Sequence, residues 1–279
     1  MVFSLLTVVF YTASSLGDKY ISAKLACSAQ EFSFLVALST AFFLALVLPF
    51  TGWNFAFTLQ SGLALIVLVA LKIAEFYTSA ALLKTVSAYE LKAWLSLNVI
   101  VSYLVDLARG TETFFWAFLP CAAALVAGIG PVAFGEKREK LLRYILLSLI
   151  YIASKFLYGL QMNVLEGTLP VCVLLLVMLG AALLQLPFVK FKTFFRKKGL
   201  ALGALTRIPN AAGLWTEAIA AQQNLLLYSL VQPMQLAILF ATALIRREKM
   251  EKLRLAGSIV TLVAVTVLTV LIYFHRGTL

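Results

Sequence analysis

Histidine is almost missing from this chain of 279 residues, which holds one, His275, near its C-terminal end. Most metal sites and imidazole-based acid–base schemes need more than that. The three cysteines, Cys27, Cys121 and Cys172, stand at spacings that make neither a metal-binding nor a disulfide pattern. No G-x-x-x-x-G-K-[ST] stretch occurs, which excludes a P-loop for ATP. Charge is scarce too, at 13% of residues, where soluble domains carry about 25%. No basic region or small-residue cleavage site accompanies the apolar start, so residues 2–16 read as the beginning of a transmembrane helix and not as a signal peptide.

What is present is apolar surface, with 62% of residues hydrophobic. No water-facing fold hides so much, so lipid is the expected solvent. In lipid every backbone group must bond internally, which leaves helices or closed barrels. The apolar runs are about 20 residues long and do not alternate, as helices require and barrel strands do not. Ten candidate spans emerge, near 2–22, 32–50, 60–83, 89–108, 114–134, 144–163, 169–188, 199–220, 225–245 and 255–274. The fold class expected is an all-α integral membrane protein of ten transmembrane helices. The links are short, and no soluble domain fits between them.

The net charge of +11 sits mostly in the links. Seventeen basic residues lie in or beside the odd-numbered loops, whereas the even loops and tails hold only Arg109 and Arg276. The positive-inside rule then puts the odd loops in the cytoplasm and both termini outside. Such a charge reads as topology signal and attraction to anionic lipid headgroups, with no nucleic-acid partner.

The two halves echo one another at an offset of 140 residues. Tyr11-Thr12-Ala13-Ser14-Ser15 aligns with Tyr151-Ile152-Ala153-Ser154-Lys155. The same offset lays span four on span nine and span five on span ten. This divides one membrane domain into five-helix repeats, 1–140 and 141–279. An odd number of crossings inverts the second copy, an arrangement common in secondary transporters with a solute site near the midplane.

The C-terminal half carries further signals. Val231-Gln232-Pro233-Met234-Gln235 sits in an apolar span, Arg246-Arg247-Glu248-Lys249 forms a charged turn, and Leu255-Ala256-Gly257-Ser258 opens the last helix. With two five-span halves and short loops, this pattern resembles the drug/metabolite transporter superfamily, specifically its bacterial EamA-type members. The first half departs from it: Arg109-Gly110-Thr111-Glu112 copies the turn loosely, and 89–106 lacks the proline. The resemblance implies a transporter in a bacterial plasma (inner) membrane. It names no solute and leaves monomer or homodimer open.

Ionisable residues inside spans are costly and usually face a cavity or a partner. Lys72, Lys92, Lys155 and Arg207 are the basic candidates, and Glu75 and Glu217 the acidic ones. Lys72 and Glu75 share a helical face with Ser79. They read equally as an ion pair neutralised for insertion or as a pair facing solute. Lys155 is flanked by Tyr151 and Tyr158 on one stripe, a suitable floor for an anionic or aromatic solute. A salt bridge to the other half is the competing reading. Lys92 shares its stripe with Ser96 and Tyr103 and aligns with Gln232 across the repeat. It either faces the cavity or snorkels to the headgroups. Arg207 precedes Pro209, and Thr206, Asn210, Gly213 and Glu217 form a polar stripe there. Trp94, Tyr77 and Trp215 are candidate cavity walls or core. If Lys72 and Glu75 cancel and Glu217 partly balances Arg207, then Lys92 and Lys155 remain the least compensated cations.

The sequence thus leads to a secondary-active transporter, not an enzyme, moving a small polar or anionic metabolite (an organic acid, amino acid or phosphorylated compound). No cofactor or metal is expected, and Glu75 and Glu217 are the carboxylates to test for proton coupling. A flippase for lipid or lipid-linked sugar on the same scaffold is the main alternative, and an intramembrane enzyme the lesser one.

Overall fold

The computed structural model describes residues 2–25, 27–110, 112–134, 141–165, 167–223, 225–245 and 252–276. Among these every regular element is helical. The α-helices are α1 Val2–Lys19, α2 Ala29–Thr51, α3 Leu59–Leu83, α4 Ala88–Leu95, α5 Leu97–Ala108, α6 Phe118–Phe134, α7 Leu141–Val164, α8 Pro170–Gln185, α9 Phe191–Phe194, α10 Leu200–Leu205, α11 Arg207–Gln223, α12 Leu225–Ile245 and α13 Lys252–Arg276. A π-helical turn, Tyr20–Lys24, continues α1. The charged links at 135–140 and 246–251, with the turn Arg246–Lys249, lie outside the described residues. So does Thr111 of the looser turn in the first half.

Six segments among the described residues are long and apolar enough to cross a membrane: Ala29–Thr51, Leu59–Leu83, Ala88–Ala108, Leu142–Met162, Pro170–Phe188 and Leu255–Ile272. The chain is therefore a multi-pass helical membrane protein. The other four expected spans are helical too, in α1, α6, α10–α11 and α12. Large apolar side chains such as Phe42, Phe50, Leu59 and Ile66 point outward, where lipid would cover them.

Local sequence explains the helix ends. Ser28 with Glu31, Thr58 with Ser61 and Ser87 with Glu90 form reciprocal capping boxes that start α2, α3 and α4. Pro170 opens α8, where its missing N–H costs nothing. Two expected spans are each split in two. The eighth breaks at Thr206 between α10 and α11, because Pro209 withdraws the N–H that would bond back to Leu205. The fourth breaks at Ser96, whose N–H is shared between the Lys92 and Ala93 carbonyls.

The most extensive packing joins α6 to α13, α2 to α8, α1 to α11 and α3 to α7, with α12 against α1, α4 and α5. Two of these contacts depend on glycine. A Cβ at Gly128 would come within 2.7 Å of the Thr261 backbone nitrogen on α13. One at Gly213 would meet the Tyr11 ring at 2.5 Å. Small residues at such points let membrane helices approach closely.

The loops sort to the two ends of the bundle. Lys19 Nζ donates to the Leu83 and Val86 carbonyls at 2.7 and 2.8 Å, tying the segment after α1 to that after α3. Lys197 pairs with Glu31 at 2.8 Å, adding the basic stretch 190–198 to that end. At the other end Leu169 N–H donates to the Asn54 carbonyl at 3.2 Å, and Thr113 meets His275 at 2.7 Å.

Candidate functional site

A cavity of about 50 Å³ lies inside the bundle, walled by α1, α2, α3, α4, α7 and α11. Its charged lining comes from Asp18, Lys72, Glu75, Lys92, Lys155 and Arg207. Two wall helices line it with stripes of neighbours along one face. On α1 this stripe is Tyr11, Ser14, Ser15 and Asp18, spaced as helical neighbours on one face. On α3 it is Lys72, Glu75, Phe76 and Ser79.

Lys155, on α7, is the hub. Its ammonium lies 2.9 Å from both Glu217 oxygens and 3.5 Å from Glu75 Oε1. The Tyr11 hydroxyl donates to Glu217 as well. Glu217 therefore stands behind the cavity wall, fully buried on α11, and holds α1 and α7 together. Lys72 donates to Glu75 Oε2 at 2.7 Å. Its ammonium also sits 3.9 Å from the centroid of the Tyr158 ring, so Tyr158 backs Lys72 and lines no part of the cavity.

Arg207 forms a second knot nearer the end that carries Lys19. Its guanidinium bonds Asp18 Oδ1 at 2.5 Å, Thr206 Oγ1 at 2.9 Å and the Ser14 carbonyl at 3.3 Å. Asn210 accepts from Ser14 Oγ at 3.1 Å and donates to Thr40 Oγ1 at 2.9 Å. Gln235 on α12 donates to the Tyr11 carbonyl and to Ser15 Oγ at 2.8 and 2.7 Å.

Lys92 differs from the other three cations. It is partly exposed to the cavity, and no described carboxylate lies within salt-bridge distance of it. Its nearest ring is that of Tyr11, with the centroid 6.0 Å away. Tyr151 lines the same cavity, and its hydroxyl has no hydrogen-bond partner among the described residues.

The structure thus brings Lys72, Glu75, Lys92, Tyr151, Lys155, Arg207 and Asn210 together in one cavity. Glu217 pairs with Lys155 and not with Arg207, and Lys155 is the most compensated of the cations instead of one of the least. Trp94 points elsewhere: its indole N–H donates to the Tyr144 hydroxyl at 2.6 Å in a separate apolar cluster. Tyr77 faces outward on an apolar groove. The Gln232 side chain lies outside the described ones. Sequence reasoning passed over Tyr11 and Asp18 as site residues, although the α1 stripe was there to be read.

Two further hollows frame the site. One of about 450 Å³ lies between α1, α4 and α12, with Lys19, Lys24, Tyr20 and Tyr89 in its wall. Ala88 lines both this hollow and the central cavity. The other, about 790 Å³, is a groove on the outer face between α3, α7 and α8, lined almost wholly by apolar residues such as Leu65, Ile73, Ile150 and Leu183. Among the described residues no group of three or more His, Cys, Asp or Glu side chains is placed to hold a metal. Chemically, the central cavity is a small, strongly polar chamber with ammonium, guanidinium, carboxylate and phenol groups facing one another. No family model matches the chain, and no curated protein matches it either.

Proposed function

We propose that the protein is a secondary-active transporter that moves a small polar or anionic metabolite by alternating access. One observation carries this reading: a charged chamber deep in an apolar bundle, built by helices from both halves of the chain. Charge is not kept at that depth for insertion alone, because each buried ion costs several kcal/mol unless something compensates it. The chamber of about 50 Å³ has room for a few water molecules. A metabolite fits only when the wall helices separate, which is what alternating access requires.

The helix pairing supports ten spans in two inverted repeats. Number the spans α1, α2, α3, α4–α5 and α6, then α7, α8, α10–α11, α12 and α13. Exchanging the halves turns the contact of α1 with α11 into that of α7 with α3. It turns α2–α8, α5–α12 and α6–α13 into themselves. This self-consistency is what a two-fold axis in the membrane plane produces. With the EamA-type resemblance it supports a carrier in a bacterial plasma membrane. The gathering of Lys19, Glu31 and Lys197 at one end supports a cytoplasmic face there and termini outside. The 450 Å³ hollow, which meets the chamber at Ala88, is then the cytoplasmic approach.

The groove between α3, α7 and α8 favours the second reading, a flippase. It would take acyl chains, but it carries no charged lining for a headgroup. The test is a thermal-shift screen of purified protein against metabolites, since native-state binders raise the melting temperature. Uptake and counterflow of each hit into proteoliposomes follow. Hits that are water-soluble and accumulate inside support the carrier. Binding and scrambling of fluorescent lipids without uptake of any soluble hit overturn it.

A further inference from the structure

We infer that the chamber is a binding site for an organic monoanion, whose single carboxylate is held by Lys92 and the Tyr151 hydroxyl. The inference rests on the carrier reading for its physiological role, but the binding chemistry stands on the site alone. Four cations, Lys72, Lys92, Lys155 and Arg207, face three carboxylates, Asp18, Glu75 and Glu217. Each carboxylate is already engaged: Asp18 by Arg207, Glu75 by Lys72 and Lys155, and Glu217 by Lys155 and Tyr11. Lys92 is the cation left over. With Lys92 protonated, the cluster carries one positive charge that no described carboxylate balances, and burial makes such a charge costly.

Geometry adds a second, independent donor. Tyr151 stands one helical turn before Lys155, buried and facing the chamber with its hydroxyl unmatched among the described residues. An ammonium and a phenol suit the two oxygens of a carboxylate, and charge-assisted bonds of this kind are the strong ones. Asp18 and Glu75 on the facing wall would repel a second negative charge, which disfavours dicarboxylates and phosphate dianions. A zwitterion brings no net charge to balance Lys92. Phe32, Val36, Leu91 and Leu214 supply apolar wall for the remainder of the molecule.

The experiment measures melting temperature and binding for detergent-purified full-length protein at constant chloride, with benzoate, lactate, succinate, inorganic phosphate and alanine as probes. Benzoate or lactate should raise the melting temperature more than succinate, phosphate or alanine do. Lys92→Gln should melt no lower than the parent without ligand and should lose the shift. Tyr151→Phe should weaken binding of the better probe about tenfold, the loss of one hydrogen bond to a charged group. Stronger binding of a dianion or of alanine, a benzoate shift retained in Lys92→Gln, or a shift produced by raising chloride alone would each overturn the inference. So would a Lys92→Gln chain that fails to fold, since it would show that the protein itself holds Lys92. Binding that follows Lys92 without uptake into proteoliposomes would leave this site standing and remove the carrier reading. Uptake indifferent to Lys92→Gln would do the reverse.

Discussion

Replacing Lys155 by methionine should be among the most damaging single changes in the chain, and a second replacement should undo much of the damage. At 2.9 Å the ammonium and the Glu217 carboxylate attract by about 6 kcal/mol before desolvation, taking an effective dielectric of about 20. Glu75 at 3.5 Å adds a similar amount. Little of this is net stabilisation, because both ions left water to make the contact. Removing one partner is different, since it strands the other: breaking a buried pair costs about 3–5 kcal/mol. In Lys155→Met, Glu75 keeps Lys72 at 2.7 Å, whereas Glu217 keeps only the Tyr11 hydroxyl. The expected loss is about 3–5 kcal/mol. Glu217→Gln should cost less, about 1–3 kcal/mol, because Lys155 retains Glu75 and the amide oxygen still accepts from Tyr11. In the double variant no stranded carboxylate remains. It should be more stable than Lys155→Met alone, with a coupling energy of about 2 kcal/mol or more. The assay is reversible unfolding in detergent, followed by fluorescence of the four tryptophans. A Lys155→Met chain as stable as the parent, or a double variant whose loss equals the sum of the single losses, would refute the reasoning.

Gly213→Ala should destabilise by about 1–3 kcal/mol, the usual cost of overpacking, because its methyl would meet the Tyr11 ring at 2.5 Å and push it from Glu217; a melting curve checks this. Asp18→Asn should cost about 1–2 kcal/mol, less than a fully buried pair, since the Asp18 side chain is 26% exposed and Arg207 keeps Thr206 and the Ser14 carbonyl; the same melt measures it. A single cysteine at exposed Thr193 should escape an impermeant thiol reagent in intact cells and react once the cells are opened. Reaction in intact cells, together with protection of a cysteine at His275, would reverse the topology. Cys27 will not interfere, because it is buried and its thiol is pushed up by that burial, which keeps it protonated and unreactive.

Local features of this structure were legible in the sequence where they depend on spacing along one helix. Lys72 and Glu75, three apart, do form a pair, and Tyr151 beside Lys155 and Asn210 beside Arg207 do face one chamber. Pro209 announced a disturbed span, and the helix breaks three residues before it. Partnerships across the bundle were not legible. Lys155 and Glu217 are 62 residues apart, and Arg207 and Asp18 are 189 apart, so no periodicity relates them. One expectation failed on arithmetic that the sequence already contained. Arg207 and Glu217 share α11 ten residues apart, a rise of about 15 Å, too far for any salt bridge. The break at Ser96 has no proline or glycine to signal it, and nothing along the sequence decided between cavity wall and core for Trp94, because its partner Tyr144 lies on another helix.

Most polar bonds at the chamber tie the two halves of the chain to one another: Tyr11 to Glu217, Arg207 to Asp18, Asn210 to Ser14 and Thr40, Gln235 to Ser15, and Lys155 to Glu75. The same side chains therefore hold the fold and line the site. Loss of uptake in a variant of any of them has two meanings, a damaged scaffold or a damaged site, and uptake alone does not separate the two. Lys92 and Tyr151 are different in kind. Neither side chain makes a bond that holds the scaffold, since no described ion pair engages the first and no described side-chain hydrogen bond the second. Truncating either removes a donor from the chamber without stranding a buried partner, so the folded state should lose little. A fall in binding at an unchanged melting temperature is then evidence about solute recognition itself. The chamber side chains whose polar groups hold no scaffold bond are the ones whose variants report on what it binds.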